Sequence, residues 1–356
     1  MKRIDTILLA TVIFLTLFGF FMIYDASSYV AFRDFFDKYH YVKDQFIWVI
    51  LGSIGLISFS YFDYRRLYNL SLPLLFIAIV LLVLVFVPGI GVYLLGAYRW
   101  VDFKIFVLQP AEFVKLVLAI YLSSWFANKE KGRFVAFLLL LSLVLFLILM
   151  QPDMGTAVVI LFEALAIYFL SGSNVLYFTV LVPIIAAIGM FIIKSSPYRA
   201  KRLEAFLNIN QSIEGSSYHV KQILIALGSG GITGVGLGNS LQKYAYLPET
   251  TTDSIFAIIA EELGFIGATV IIILFAVVAW RGFYIATRAK DNFGKLLAAG
   301  ITTFLATQTI INLGALTALF PLTGIPLPFI SYGGSALIID LCSIGILLNI
   351  SKSASS

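Results

Sequence analysis

The amino-acid sequence predicts an all-α, polytopic membrane protein of about ten transmembrane helices, and both its composition and the lengths of its apolar segments indicate this class. Of its 356 residues, 60% are hydrophobic and 12% are charged, and the mean hydropathy is +0.99. A soluble domain carries about 25% charged residues, and a helix that crosses a bilayer needs about 20 apolar residues. The composition therefore excludes a soluble enzyme, a disordered scaffold and a protein that binds nucleic acid.

Ten apolar segments are the expected spans of a single domain that covers residues 1–356. The first span is too long for a signal peptide and no A-x-A cleavage motif follows it, so we expect a retained helix. Between the seventh and eighth spans we predict a long extracytoplasmic loop, residues 195–254. The predicted spans are 6–25, 46–62, 70–88, 110–126, 134–151, 155–172, 174–194, 255–279, 296–319 and 335–350.

The distribution of Lys and Arg in the short loops predicts the orientation, because cytoplasmic loops carry an excess of these residues. One set of alternate loops is rich in them and the other set holds few. We therefore expect both termini in the cytoplasm and residues 195–254 outside. The basic residues of the rich set are Lys2, Arg3, Arg65, Arg66, Lys129, Lys131, Arg133, Arg281, Arg288, Lys290, Lys295 and Lys352.

Four ionisable residues lie inside the fourth, sixth and tenth predicted spans, where each costs at least about 2.5 kcal/mol on insertion scales. Glu112 and Lys115 are three positions apart, so they share a helix face and can neutralise each other. One interpretation is a buried ion pair that fixes packing. The alternative is that Lys115 faces a cavity and binds an anion. Glu163 and Asp340 could pair with basic groups or line a polar channel, and the sequence leaves their partners open.

Three outer segments have unusual compositions. Residues 90–108 mix aromatic residues with Arg99, which predicts an interfacial stretch with Trp100 at headgroup depth. Asp153 follows a proline in a tight turn, where it is expected to cap the next helix. Residues 320–334 contain three prolines and three glycines, which excludes a regular helix. Irregular backbone at membrane depth is tolerated only where it is buried in protein or lines a wet cavity.

The long loop carries the strongest functional signals. It opens with a basic cluster that attracts phosphates, either of a ligand or of ordinary lipid headgroups. A glycine-rich run at 228–240 permits tight turns, and its N–H groups could form an anion nest. Asp253 ends the loop, either as an N-cap of the eighth helix or as a carboxylate that takes a proton from a substrate hydroxyl. The basic cluster comprises Arg199, Lys201 and Arg202.

Two further carboxylates, Glu261 and Glu262, lie two turns deeper in the eighth span. Lipid exposure of a carboxylate is costly, so we expect one of them to face the protein interior. Metal chemistry has no signature, because the chain has two histidines and one cysteine and lacks HExxH, CxxC and P-loop motifs. We therefore expect no metal site and no cofactor, and the sequence leaves stimulation by a divalent cation open.

Four stretches together resemble one family, the SEDS proteins of shape, elongation, division and sporulation, which include RodA, FtsW and SpoVE. The resemblance keeps the same order over most of the chain. The SYGGSAL ending is more similar to RodA than to FtsW, whereas the GLGNS-QK-YLPE stretch is similar to FtsW and SpoVE as well. Thr251 and Ser254 stand where His and Phe are frequent in the family. The stretches are GAYRWVDFKIFVLQPAEFVKL at 96–116, QPDMGTAV at 151–158, GVGLGNSLQKYAYLPETTTDSIFAIIAEELGFIG at 234–267 and PLTGIPLPFISYGGSAL at 321–337.

The resemblance implies a peptidoglycan glycosyltransferase of the bacterial cytoplasmic membrane. Its substrate would be lipid II, its product β-1,4 glycan strands, and its role cell elongation and cell shape. The resemblance places the catalytic carboxylate at Asp253. The partners it implies are a class B penicillin-binding transpeptidase and other membrane proteins of the elongation complex.

The implied reaction gives each candidate residue a role. Inversion at the donor sugar needs a base for the acceptor hydroxyl, and the departing pyrophosphate needs positive charge. The supporting polar residues are Glu112, Asp153 and Glu262. The expected substrate-binding residues are Arg99, Trp100, Lys115, Arg199, Lys201, Arg202 and Lys243.

Two other functions fit the same sequence. A flippase for lipid-linked oligosaccharides could use the intramembrane charges as a polar path for a headgroup. A structural scaffold for a partner protein would need neither those charges nor a reactive carboxylate. The intramembrane charges of the flippase path are Glu112, Lys115, Glu163 and Asp340.

Overall fold

The structure is a computed structural model of the chain, and it is mostly helical. The residues that it describes are 4–94, 96–104, 106–128, 133–173, 176–194, 200, 203, 204, 206, 216–244 and 250–354. The helices are α1 (Thr6–Phe35), α2 (His40–Tyr61), α3 (Arg66–Leu84), α4 (Pro110–Phe126), α5 (Phe134–Met150), α6 (Met154–Leu170), α7 (Leu176–Lys194), α8 (Ser216–Ser229), α9 (Ile255–Arg288), α10 (Asn292–Leu316) and α11 (Gly334–Ala354).

The predicted all-α membrane class is confirmed. Within the described residues, six helices are long and apolar enough to cross a membrane, namely α1, α2, α3, α9, α10 and α11. The apolar helices α5, α6 and α7 add shorter candidates. The predicted number of ten spans stays a prediction. Helix α1 ends at Phe35, ten residues beyond its predicted end, and α8 lies inside the predicted loop 195–254.

The predicted interfacial stretch at 90–108 forms a small antiparallel sheet between α3 and α4. Its strands are β1 (Gly91–Leu94), β2 (Ala97–Asp102) and β3 (Val107–Leu108), in the order β1-β2-β3. Val101, in the central strand, pairs with both neighbours and is fully buried. Aromatic side chains on this sheet are exposed, which suits a surface at headgroup depth.

Small residues bring the core helices close together. Helix α11 packs along α2, where a Cβ on Gly345 would lie 2.5 Å from the carbonyl oxygen of Leu56. Close approach at small residues is typical of membrane helices, because apolar side chains gain little from contacting each other rather than lipid. Helix α10 packs against α4, α6 and α9, and most of its residues are buried. It therefore forms the centre of the helix assembly.

Between α10 and α11 the chain runs through irregular backbone, residues 317–333, which we call the crossing segment. Ile325, Leu327 and Ile330 in it are almost fully buried among the helices. A Cβ on Gly19 of α1 would lie 2.5 Å from the Cα of Ile330, so only a glycine admits this contact. The prediction that this proline- and glycine-rich stretch is not a regular helix is confirmed. Its second half is buried in protein, whereas Leu319 and Phe320 near its start are exposed.

Helix α9 is interrupted at Gly264, whose φ of 66° and ψ of −168° are not helical. The glycine-rich run docks across this break. Val235 and Gly236 donate their N–H groups to the carbonyl oxygens of Glu261 and Glu262 at 3.0 and 3.1 Å. These N–H groups therefore complete the helix rather than face an anion, so the anion-nest alternative is wrong for them.

Candidate active site

The half-buried Asp253 lies directly before α9. The helix begins at Ile255 with Ser254 at its N-cap position, so Asp253 is not the N-cap residue. The hydroxyl of Ser254 lies 2.9 Å from Nε2 of His219 on α8. The alternative that Asp253 is the N-cap residue of this helix is therefore wrong, because the N-cap position falls one residue later.

Asp253 lines a small cleft together with the end of α10 and the middle of the crossing segment. A Cβ on Gly324 would lie 3.8 Å from Oδ2 of Asp253, so the glycine leaves space beside the carboxylate. Gly324 also has a φ of 73°, which favours glycine. The lining residues are Asp253, Asn312, Ala315, Leu316, Leu322, Thr323, Gly324 and Ile325.

Hydrogen bonds fix the turn that carries Asp253 on two sides. On the α10 side, Nδ2 of Asn312 donates to the carbonyl oxygen of Asp253 at 2.9 Å. On the other side, the N–H of Tyr332 donates to the carbonyl oxygen of Thr251 at 2.8 Å. The hydroxyl of Ser331 donates to the carbonyl oxygen of Thr252. The position of the carboxylate is thus set by residues far along the chain.

Lys243 is held by two carboxylates. Its Nζ lies 2.9 Å from Oδ1 of Asp25 on α1 and 3.0 Å from Oε1 of Glu262 on α9. Burial alone would lower the pKa of Lys243, but its hydrogen bonds to the two carboxylates and their charges outweigh burial and raise the pKa. The structure therefore uses this ammonium in an ion triad, whereas we expected it to face pyrophosphate.

Both deep carboxylates of α9 are buried, as expected for at least one of them. Glu262 is fully buried and accepts a hydrogen bond from the N–H of Ser240 at 3.1 Å. Glu261 accepts hydrogen bonds from the hydroxyl of Ser240 and from the N–H of Leu241. Both therefore anchor the end of the glycine-rich run, which agrees with the supporting role predicted for Glu262.

The predicted pair of Glu112 and Lys115 is confirmed, with 2.7 Å between Oε2 and Nζ and both side chains almost fully buried. Nζ of Lys115 also donates to Oε1 of Gln308, whose Nε2 donates to the carbonyl oxygen of Pro326 at 2.9 Å. Lys115 does not line the cleft at Asp253. The buried ion pair is thus the better interpretation, and the expected direct contact of Lys115 with substrate has no geometric support.

Glu163 and Asp340 lie near Lys115 in the same buried interior. Within the described part of the chain, neither carboxyl group has a hydrogen-bond partner on either oxygen. Together with Glu112 they place three carboxyl groups around one ammonium. An unpaired carboxylate in such a setting is strongly disfavoured, so these groups are the least satisfied polar side chains of the core.

Arg99 and Asp153 meet at the turn between α5 and α6. The Arg99 guanidinium donates to the carbonyl oxygens of Gln151 and Pro152 at 3.2 and 2.6 Å, instead of pointing to an open site. Asp153 caps α6 by accepting from the N–H of Thr156 at 3.0 Å, which confirms the expected cap. Trp100 is half-buried on β2. The contacts with substrate expected for Arg99 and Trp100 stay predictions.

The basic cluster at the start of the long loop, Arg199, Lys201 and Arg202, lies outside the described residues. Among the described residues, no three His, Cys, Asp or Glu side chains lie close enough to hold a metal ion. The expectations of phosphate binding by the cluster and of no metal or cofactor stay predictions.

Several residues of the site escaped the sequence reasoning. Asn312 and Gln308 stand out only as carboxamides in an apolar helix, a signal that deserves the same weight as a charge because buried amides need partners. Asp25 sits near the end of α1 and gave no local pattern. His219 and Tyr332 likewise became visible only through their contacts with Ser254 and Thr251.

The fold and the buried charges define a multi-pass helical membrane protein. Residues 5–356 match the model of the cell cycle protein family that unites FtsW, RodA and SpoVE, so the chain belongs to this family. This confirms the family predicted from the four stretches.

Relatives and solved structures agree over nearly the whole chain. A probable peptidoglycan glycosyltransferase FtsW of Trichlorobacter lovleyi is 40% identical, over 98% of this chain and 93% of the relative. Stage V sporulation protein E of Bacillus subtilis is 39% identical, over 98% and 97%. The rod shape determining protein RodA of Thermus thermophilus superposes with a TM-score of 0.73 at 27% identity, covering 98% and 97%.

A second solved structure concerns the coordination of polymerization and crosslinking by a peptidoglycan synthase complex. One of its chains superposes with a TM-score of 0.81 at 26% identity, covering 99% of this chain and 98% of that one. The greater similarity to RodA expected from the SYGGSAL ending is supported only by a solved structure at 27% identity. The similar sequences named above carry FtsW and sporulation names at 39–40% identity, which is the stronger support.

Proposed function

We propose that the protein is a peptidoglycan glycosyltransferase that polymerises lipid II into β-1,4 glycan strands at the outer face of the bacterial cytoplasmic membrane. The observation that carries this proposal is the placement of Asp253, a half-buried carboxylate in a cleft between the start of α9 and the end of α10. The names of the FtsW relative and of the synthase complex support the same activity.

Asp253 acts as the general base in this proposal. The donor sugar is α-linked to pyrophosphate and the product is β-linked, so the acceptor hydroxyl attacks opposite the leaving group and must lose its proton. A half-buried carboxylate suits this task, because it keeps access to solvent while the surrounding protein limits its motion. Hydrogen bonds on both sides hold the main chain of the turn that carries it.

The departing pyrophosphate needs fixed positive charge. We assign this role to Arg199, Lys201 and Arg202, since they lie together at the start of the outer loop. Lys243 and Arg99 are engaged by protein groups. For these two we propose support of the site instead of direct contact with phosphate.

Glycan polymerisation by the purified chain tests the proposal. Wild type should convert lipid II into glycan strands, and Asp253→Asn should slow this by about 100-fold or more, the usual contribution of a general base. Asp34→Asn is the matched control, because Asp34 is an exposed carboxylate at the end of α1. Equal rates for wild type and Asp253→Asn, with both proteins folded, would refute the proposal. Assays with EDTA and with added Mg²⁺ test the open question of a divalent cation.

The flippase alternative predicts a different effect of the Asp253→Asn substitution. Translocation of lipid II in liposomes would survive Asp253→Asn and fail on substitution of Glu112 or Lys115. These two residues form a closed ion pair in the core, which favours a structural role. A scaffold would keep full cell-wall function in cells after Asp253→Asn.

We further propose a multi-pass protein of the cytoplasmic membrane with both termini inside the cell. Its partners would be a class B penicillin-binding transpeptidase and other membrane proteins of the elongation complex. The peptidoglycan synthase complex supports the first partner, since that complex couples polymerization to crosslinking. Co-purification of the tagged chain from cells tests it, and labelling of cysteines added at each end tests the orientation.

Cell elongation and cell shape are the proposed cellular role. A fluorescent fusion should label the side wall, and depletion should give rounded cells. A fusion at the septum, together with filamentous cells after depletion, would instead indicate a role in cell division.

A further inference from the structure

One face of α10 carries two carboxamides that both hold irregular backbone. Asn312 donates from Nδ2 to the carbonyl oxygens of Asp253 at 2.9 Å and Ile325 at 2.8 Å. Gln308, one turn away, donates to the carbonyl oxygen of Pro326 at 2.9 Å. Both side chains are almost fully buried. Asn312 is thus a direct bridge between the turn that carries Asp253 and the crossing segment.

The bridge continues into the core. Gln308 accepts a hydrogen bond from Nζ of Lys115, which is paired with Glu112 at 2.7 Å. A continuous series of contacts therefore joins the ion pair, Gln308, the crossing segment and Asn312. In a buried setting each of these bonds is costly to lose, because the freed donor or acceptor finds no water.

From this geometry we propose that Asn312 is a positioning residue for Asp253. Gln308 connects the crossing segment, which Asn312 also bonds, to the ion pair of Glu112 and Lys115. The inference rests on the proposed function, since it concerns the base of that reaction. Asn312 fixes the main chain of Asp253, whereas the side-chain carboxylate is left to meet the acceptor hydroxyl. Loss of Asn312 frees the turn, so the carboxylate spends less time in the reactive geometry.

Initial rates of glycan polymerisation against lipid II concentration test the proposal on the purified full-length chain. Asn312→Leu should lower kcat at least tenfold and leave KM within about twofold, because binding groups are untouched. Thr309→Val is the matched control, since Thr309 is buried on the same helix and bonds only its own helix carbonyl at Leu305. This control should keep both constants.

A second variant separates positioning from simple loss of folded protein. Asn312→Asp places a carboxyl group that is almost fully buried against two carbonyl oxygens, where the protonated form is favoured and can donate as the amide does. The ratio of its kcat to that of wild type should therefore fall as pH rises, while the ratio for Asn312→Leu stays low at every pH. The unfolding temperature of each variant, measured over the same pH range, separates this effect from a change in the folded fraction.

Two results would overturn the proposal: a kcat of Asn312→Leu within twofold of Thr309→Val, or a ratio of Asn312→Asp to wild-type kcat that does not change with pH. Wild type and Asp253→Asn are measured in parallel. Strand formation by wild type that is lost in Asp253→Asn, combined with either of these results, rejects the role of Asn312 alone. Equal rates for wild type and Asp253→Asn reject the proposed function instead.

Discussion

Lys243 and Asp25 are 218 positions apart in sequence, and the Lys243 ammonium lies 2.9 Å from Oδ1 of the Asp25 carboxylate. The same ammonium lies 3.0 Å from Oε1 of Glu262. This triad connects the segment that follows the glycine-rich run to α1 and to the part of α9 before Gly264. It therefore joins the end of the glycine-rich run to the helix that starts beside Asp253.

Removing the ammonium should strongly destabilise the protein. Lys243→Met leaves Glu262 as a buried charge without its counter-ion, and breaking a buried pair in this way costs about 3–5 kcal/mol. Thermal unfolding in detergent micelles measures the loss. Lys43→Met is the control, because Lys43 forms an exposed pair with Asp37 at 2.6 Å and exposed pairs contribute little. Similar unfolding temperatures for the two variants would contradict the structural role of the triad.

The triad should also make stability depend on pH. The pKa of Lys243 is raised above its ordinary value of 10.5 in the folded protein. Its contribution is then fully present below the pKa of the unfolded chain and is lost as pH rises through the folded pKa. Wild type should lose unfolding free energy above about pH 10 more steeply than Lys243→Met. Parallel curves for the two proteins would show that the ammonium contributes nothing.

Removing the buried ammonium should destabilise the protein more than removing one of the buried carboxyl groups around it. Lys115→Met should cost about 3–5 kcal/mol, because Glu112 loses its counter-ion. Glu163→Gln should keep or raise the unfolding temperature, since neither Glu163 oxygen has a hydrogen-bond partner among the described residues. Unfolding followed by tryptophan fluorescence compares the two. A larger loss in Glu163→Gln than in Lys115→Met would mean that Glu163 is satisfied by a group of its own.

The docked glycine-rich run predicts a large effect at one glycine and a small one at another. At Gly234, φ is 82° and an added Cβ would overlap the carbonyl oxygen of Glu262. Gly234→Ala should therefore destabilise the fold by more than about 2 kcal/mol. Gly228 lies exposed in α8 with nothing near its Cβ position, so Gly228→Ala should be neutral or stabilising by up to about 1 kcal/mol. Equal effects would mean that the run does not dock as described.

Local sequence patterns predicted the parts of this structure that depend on neighbours along the chain. The apolar segments gave the helices, the spacing of Glu112 and Lys115 gave their ion pair, and the residue after Pro152 gave the cap of α6. The composition of 320–334 predicted the irregular backbone between α10 and α11. Each of these inferences needs only one segment and the solvent that surrounds it.

The contacts around Asp253 could not be predicted in that way. Asn312 reaches a turn 59 positions earlier, and Asp25 reaches Lys243 across most of the chain. Such pairs depend on how the helices are arranged, which no local period encodes. The family resemblance predicted a catalytic role for Asp253, whereas the residues that bond its turn are found only in the three-dimensional structure.

The interruption at Gly264 divides α9 into an upper limb, residues 255–263, and a lower limb, residues 265–288. The lower limb has 24 residues and is about 36 Å long, which is enough to cross the hydrocarbon without the upper limb. The side chains agree, because Ile255 to Glu262 are enclosed by protein and strongly exposed apolar residues start at Phe265. In the proposed function, the upper limb is a platform that rises out of the lipid, and it carries Asp253 to the level where a headgroup sugar and water can meet.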